Sequence, residues 1–340
     1  MAHYVLISLS PLVMLGMGAV FGGPWPALAL VWVTLGAALI DVLPHHANAA
    51  PLSDAQARRL SSALAVVQGL FLAAMVYVLG RAEPFRWLDH GLLFAASGLY
   101  LGQVAMSNAH DLIHASTRLQ RRLGEALFRM MLFGHHSSAH RLVHHVHVAS
   151  AGDPNSARRG AGFYRFWLRA WFGSFRAGFH AENRLRQRKS PPPGWWTHPY
   201  LGHVTGAALS LAGAAALAGP RGVLALSALC VLAQAQLLLA DYVQHYGLRR
   251  ATLDDGRLEP VSPRHSWNAQ SWYTGAVMLN APRHSDHHQN PGRQFSQLRI
   301  DPDTMPILPA SLPSMALIAL VPPLWRHIMD PRVRSLTEQA

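Results

Sequence analysis

The chain has one cysteine, Cys230, in 340 residues. That excludes a disulfide within the chain and a thiolate metal cluster, and a lone thiol inside an apolar run is expected to pack as a small buried hydrophobe. Acidic residues are also scarce, 17 Asp and Glu against 29 Lys and Arg, for a formal net charge of +12. No Lys or Arg precedes Arg58. The first apolar stretch therefore lacks the positive region of a cleaved signal peptide and is expected to stay part of the protein. No flavin, nicotinamide or iron–sulfur motif occurs, no internal repeat, and no nucleic-acid-binding motif, so the basic charge does not mark a nucleic-acid binder.

Apolar sequence is what the chain has in quantity: 50% of residues are hydrophobic and 14% charged. Six runs stand out, at roughly 5–22, 24–43, 62–81, 88–108, 203–219 and 222–243. Each is near the ~20 residues a helix needs to cross a bilayer. The fifth is the weakest, being mostly Ala and Gly. A seventh stretch, Met315 to Trp325, is too short to span, meets Pro322-Pro323, and is expected to form an interfacial or buried helix. The expected architecture is all-α: a six-helix transmembrane bundle, residues 1–340 forming one domain, with a cap built from 109–202 and 244–340. With both termini on one side, 26 of the 29 Lys and Arg fall on the cap side and only Arg81, Arg86 and Arg221 on the other. The positive-inside rule makes the cap cytoplasmic. Such a face suits anionic lipid head groups and an acidic soluble partner.

Within the cap, 118–136 has apolar positions near helical spacing and is expected to form an amphipathic surface helix. Segment 163–179 mixes aromatics with Arg, the composition of an interfacial helix. Ser190-Pro-Pro-Pro-Gly194 breaks any helix before Trp195 and Trp196, expected interface anchors.

Nine histidines lie in four clusters on that same side. They are His110-Asp-Leu-Ile-His114, His140-Arg-Leu-Val-His144-His145, the single His245, and His284-Ser-Asp-His287-His288. Imidazole suits iron, copper, zinc and nickel, and nine are too many for one ion, so two metals are expected. Residues i and i+4 share a helical face. That joins His110 to His114, extends helix four out of the membrane, and groups His284, His287 and His288. His145 is turned about 100° from His144, so neighbouring histidines can address different metals. A lone HxxxH is common on surfaces; four clusters on one membrane face are not. His110-Asp111-x-x-His114 superficially matches a zinc-protease motif, but that would leave seven histidines without a role. Asp111 and Asp286 lie inside clusters and are candidates to accept the free N–H of a ligating imidazole. His135, His136, His147 and His265 are expected in pocket or surface roles, and His45 and His46 near lipid head groups. Asp41 is an ionisable residue at membrane depth, either functional or a helix-end group reaching water.

At these clusters the chain resembles the bacterial integral-membrane non-haem diiron alkane 1-monooxygenases (alkane ω-hydroxylases), from about Leu39 to Pro331. Asp241-Tyr-Val-Gln-His-Tyr-Gly-Leu248 is similar to their Asn-Tyr-x-Glu-His-Tyr-Gly signature, which sets them apart from membrane desaturases. His265-Ser-Trp-Asn268, Arg283-His-Ser-Asp-His-His-x-Asn-Pro291 and Asp153-Pro154 also match. The resemblance implies two iron ions held by the nine histidines, and O₂-dependent conversion of a terminal methyl to a primary alcohol. It implies electrons from a rubredoxin or ferredoxin with its reductase, and a place in the bacterial inner membrane with the metals on the cytoplasmic side. Arg121, Arg122, Arg158 and Arg159 are candidate docking charges. The chain departs from the pattern at Gln244, where the signature has Glu, at Ala139, where a Glu usually precedes the second cluster, and at Asp111, where Glu is common. Asp241 and Gln244 join the residues expected around the ligands. The apolar substrate is expected to reach the metals through a tunnel among the spans. Trp32, about 13 Å along a helix from Asp41, is a candidate to limit its length, with lipid-facing packing the plainer role.

Two other readings remain. A related membrane diiron oxygenase would act on aryl-methyl, terpene or fatty acyl substrates, as hydroxylase or desaturase. A histidine-rich metal transporter would need ionisable residues deep in several spans, and runs one, three and five offer none.

Overall fold

The computed structural model describes residues 2–43, 52–81 and 86–338. His45 and His46 lie outside them. Among the described residues the protein is helical, with only two isolated β-bridges, Thr252–Leu258 and Asn268–Ile307.

The first two apolar runs form α1 (Ala2–Phe21) and α2 (Trp25–Val42), the latter containing a π-helical stretch at Trp32–Gly36. Helix α3 (Asp54–Gly80) begins at a reciprocal cap in which Ser53 Oγ accepts from Gln56 N while the Gln56 side chain accepts from Ser53 N. This satisfies two of the amide groups that a helix start leaves orphaned. The fourth run is one helical stretch, α4, made of Trp87–Tyr100, a π-helical Leu101–Ala105 and Met106–His114. It continues past the apolar residues to carry His110 and His114, as the spacing requires.

Tyr4–Phe21, Trp25–Val42, Asp54–Gly80 and Pro199–Gln244 are each long and apolar enough to cross a membrane. The last of these holds runs five and six as two helices, the halves of α8 (Pro199–Gln244), joined by a break at Ala218 and Gly219. Gly219 adopts φ +61°, ψ −151°, and Pro220 follows. The first conformation is open essentially only to Gly, and Pro is well suited to begin a helix. The halves then fold back on each other. A side chain at Gly222 would collide with the Ala214 carbonyl, eight residues away, which a straight helix would hold about 12 Å distant. Arg129 touches His203 on one half while Gln234 Nε2 bonds Met131 O on the other.

The cap begins with α5 (Arg118–Met130), which stops short of the expected 136 because Leu132 turns to φ +55°. The histidine-bearing α6 spans His136–Ala139, a π-helical His140–His144 and His145–His147. Helix α7 (Phe163–Gln187) runs longer than predicted. It buries Phe163, Phe166, Ala170, Ser174, Gly178 and Ala181, a stripe at helical spacing, and exposes Tyr164, Leu168, Phe172 and Phe179. That exposed aromatic face, with the exposed Trp195 and Trp196, has the make-up of an interfacial belt. Short helices α9 (Trp272–Val277) and α10 (His284–Gln289) close the site. The Met315–Trp325 stretch is two helices, α11 (Leu312–Ala319) and α12 (Pro322–Glu338), with Trp325 fully buried against Tyr242 and Tyr246.

Gly219 offers a clean test of the reversal, since an added Cβ meets nothing within 4 Å and only backbone strain is introduced. Gly219→Ala is expected to destabilise the protein by about 1–3 kcal/mol, read as a lowered melting temperature in detergent, whereas Gly213→Ala, where space is also open, leaves it unchanged or raised.

Candidate metal centre

Each histidine cluster arrives on a different device. The end of α4 delivers His110 and His114, and the π-helical turn of α6 delivers His140, His144 and His145. His245 sits immediately after α8, and α10 delivers His284, His287 and His288. Asn268 fixes the start of α10: its Oδ1 accepts from Ser285 N at 2.9 Å and its Nδ2 donates to Ser285 Oγ at 2.7 Å.

These nine side chains divide into two groups, in each of which the ring nitrogens lie within 4.8 Å of one another. One holds His110, His114, His140, His145 and His287; the other holds His144, His245, His284 and His288. The division separates the neighbours His144 and His145, as their angular offset predicts. It also separates His140 from His144 and His287 from His284 and His288, which helical spacing alone would have kept together. Around His140 the wider π-helical turn changes the offset between residues four apart.

The Nε2 atoms converge. His110 and His140 stand 2.7 Å apart, His140 and His145 3.0 Å, and His145 and His287 3.1 Å. In the second group His245 and His284 are 2.9 Å apart, and His284 and His288 3.1 Å. Nitrogens bound to one ion at about 2.0–2.1 Å and 90° apart stand roughly 2.9 Å from each other. His114 Nε2 and His144 Nε2 are buried with no hydrogen-bond partner. Burial pushes the pKa values of His140, His145, His284, His287 and His288 well below the ordinary imidazole value, so they stay neutral and keep lone pairs for a metal. All-nitrogen donors without thiolate suit iron as well as copper or zinc. The donor set thus fits two metal ions, five imidazoles on one side and four on the other.

The residues expected to orient these rings are placed differently. Asp286 receives Arg293 twice at 2.6 Å, Asn290 Nδ2 and Arg299 N. It closes the loop after α10, and among the described residues none of its hydrogen bonds goes to an imidazole, a guanidinium being the stronger partner for its oxygens. Asp111 accepts from Ser61 Oγ of α3 at 2.9 Å. Burial, offset in part by that bond, raises its pKa to about 6. Asp241 accepts from Asn155 Nδ2 at 2.6 Å, and Gln244 donates to Ala281 O at 3.2 Å. The carboxylate that holds one of these nine imidazoles is Asp153, 2.9 Å from His144 Nδ1 and itself fixed by Ser156 Oγ and Asn155 N. Burial works against a charged His144, but Asp153 outweighs it and raises the imidazole pKa. The bond puts the proton on Nδ1 and turns the Nε2 lone pair toward the second group. The Asp-Pro pair was legible in sequence as a match; its partner, nine residues back, was not.

Beside the histidines lies an apolar cavity of about 370 Å³. His110 of the first group and His284 of the second both line it. Its walls come from α2, α4, α8 and α11, among them Val33, Leu99, Leu232 and Leu317. Trp32 does not line it, although Val33, Thr34 and Leu35 do. Asp41 accepts from Tyr273 N at 2.8 Å, Thr274 N at 3.1 Å and Thr274 Oγ1 at 2.6 Å, tying α2 to the start of α9. Its role in the structure is to anchor a cavity wall, since Thr274 lines the cavity and Asp41 does not. His136, buried and stacked on His140 and Phe133, also lines it, with neither ring nitrogen partnered. His135 packs among Phe133, Trp171 and Phe175, and His265 binds Glu259.

Residues 85–316 match the model of the fatty acid desaturase family. Among curated proteins, the chain is 30% identical to alkane 1-monooxygenase 2 of Pseudomonas aeruginosa, over 94% of this chain and 87% of that one. It is 33% identical to alkane 1-monooxygenase 1 of the same organism, over 81% and 72%. It is also 28% identical to the xylene/toluene monooxygenase hydroxylase component of Pseudomonas putida, over 89% and 83%.

Two variants test the grouping. His288→Ala is expected to lower bound metal from two ions to about one per chain, by inductively coupled plasma mass spectrometry. Asp153→Asn, which keeps the shape but weakens the hold on His144, is expected to reduce metal affinity about ten- to a hundredfold.

Proposed function

The chain belongs to the alkane 1-monooxygenase family, and from that premise we propose that it is a membrane diiron monooxygenase converting a terminal methyl group of an alkane-like substrate into a primary alcohol. The observation that carries this reading is that one apolar cavity touches both histidine groups, through His110 and His284. A lipid-dissolved chain lying in it presents its end to the metals. In this reading the five-histidine group holds one iron and the four-histidine group the other. When bound, the iron pair supplies the reduction of O₂ and the attack on the methyl C–H bond.

The residues of the chain position and shield. The apolar walls of α2, α4, α8 and α11 align the substrate and keep water from the reacting end. Asp153 fixes the ring of His144, and Asn268 with Ser285 holds α10 in register. The electrons come from a rubredoxin or ferredoxin with its reductase, which docks on the basic face. Arg122, Arg158 and Arg159 are exposed there, whereas Arg121 is tied to Ala115 O and Ser116 O and contributes less. In this reading the protein crosses a bacterial inner membrane six times, through α1, α2, α3, α4 and the two halves of α8, with that face in the cytoplasm. The reversal of α8 and the charge asymmetry support this arrangement.

Similarity to a xylene/toluene monooxygenase component keeps aryl-methyl substrates as a second reading. Cells expressing the chain with rubredoxin and its reductase are expected to convert octane or hexadecane to the 1-alkanol, and His287→Ala to abolish this. Conversion of p-xylene alone would shift the assignment to the second reading, and no product from any of the three in the presence of bound iron would overturn both.

A further inference from the structure

The junction between α7 and α8 carries positive charge that no carboxylate balances. Arg184, Arg188 and Lys189 are exposed, and among the described residues none of their side chains is ion-paired or hydrogen-bonded. The acidic residue nearest to them in sequence, Glu182, accepts from Ser138 Oγ at 2.6 Å instead. Arg186, which stands between them, is used differently. Its guanidinium donates to Pro193 O at 2.9 Å, Gly194 O at 2.6 Å and Thr197 O at 3.1 Å. His198 Nε2 lies 3.2 Å from Asn183 Oδ1, and its ring packs on Phe179. These contacts fold the connecting loop back onto the last turns of α7. The Trp196 ring lies over Gly194, where an added Cβ would collide with it. Trp195 and Trp196, both exposed, thus follow directly on the carbonyls that Arg186 holds, beside the three free cations. Their depth is set by what comes next. Pro199–Gln244 is long and apolar enough to cross a membrane, and its first half exposes Leu201, Val204 and Leu209. Indoles placed just before such a helix sit at head-group level.

We propose that this corner binds the head group of an anionic phospholipid, with Arg184, Arg188 and Lys189 around its phosphate and Trp195 and Trp196 against its glycerol and upper acyl chain. Arg184 and Arg188 are four residues apart, one helical turn and about 6 Å along the axis. Two guanidiniums at that spacing share one phosphate, whose oxygens match their paired N–H donors. A zwitterionic head group would bring an ammonium into a cluster that has no carboxylate, so a net-negative head group such as phosphatidylglycerol is preferred. A soluble phosphate would meet the same cations but leave both indoles without a partner. Each Lys or Arg beside an anionic membrane surface strengthens binding about fivefold. The site lies on an outer corner of the fold, away from the histidine groups, and is independent of what the cavity takes as substrate.

The test equilibrates purified protein with mixed micelles holding equal amounts of phosphatidylglycerol and phosphatidylcholine with the same acyl chains. The protein is re-isolated and the two retained lipids are measured by mass spectrometry. Their ratio cancels differences in yield. Wild type is expected to enrich phosphatidylglycerol, and Arg184→Gln with Arg188→Gln and Lys189→Gln to lower the ratio at least about tenfold. Arg188→Gln alone, at the C-cap of α7 where no helical packing is touched, is expected to lower it about threefold to fivefold. Arg122→Gln with Arg158→Gln and Arg159→Gln removes the same charge elsewhere and is expected to keep the wild-type ratio. Glycerol 3-phosphate in large excess is expected to leave the retained lipid in place. Equal retention of both lipids by wild type, or a ratio that neither the triple nor the single substitution changes, overturns the proposal. An equal fall in the control variant also overturns it and assigns the effect to net charge. Displacement by glycerol 3-phosphate overturns the lipid as occupant and assigns the cluster to a soluble phosphate.

Discussion

Nine imidazoles whose ring nitrogens converge in a buried space, most of them held neutral by burial, repel one another through their lone pairs unless a cation lies among them, and the rest of the structure is arranged around that fact. Nε2 atoms at 2.7–3.1 Å from one another are not an arrangement that folding would otherwise favour. It is held by anchors that have no direct part in chemistry. Asn268 and Ser285 fix the start of α10, Asp286 with Arg293 closes its far side, Asp153 turns His144, and the α8 helix ends where His245 is needed. An aligned set of this kind gains its stabilisation when the metals bind, because binding free energy is then folding free energy.

The nine histidines that cluster spacing singles out are the ones the structure brings together in two groups, and the split of His144 from His145 follows from their angular offset. What was not legible is the departure from ideal helical geometry. The π-helical turn at His140–His144 puts His140 and His144 in different groups, although four residues apart on an α-helix they would share a face. The same limit applies to the carboxylates. Asp111 and Asp286 lie closest to the clusters in sequence, yet their oxygens are taken by Ser61 and Arg293. The working carboxylate, Asp153, is set by a turn whose closure with Ser156 no periodicity foretells.

The fold shows a parallel pattern. Apolar runs predicted the long helices well because twenty apolar residues leave few alternatives in a bilayer. The reversal within α8 rests on Gly219-Pro220 and on the absence of a side chain at Gly222, features of three residues rather than of a run. The two π-helical segments bordering the cavity, Trp32–Gly36 and Leu101–Ala105, likewise leave no mark in hydropathy. Within the first of them Val33 and Thr34 line the cavity while Trp32, the conspicuous aromatic, does not. A membrane helix thus announces its existence in composition and conceals the local faults that shape a binding space.

X-ray absorption at the iron edge of the metal-loaded protein tests the central claim most directly. The account predicts two irons per chain, with nitrogen neighbours only and the multiple-scattering pattern of four to five imidazoles per iron. Fewer than three imidazoles per iron, or a single occupied site at saturation, would contradict it.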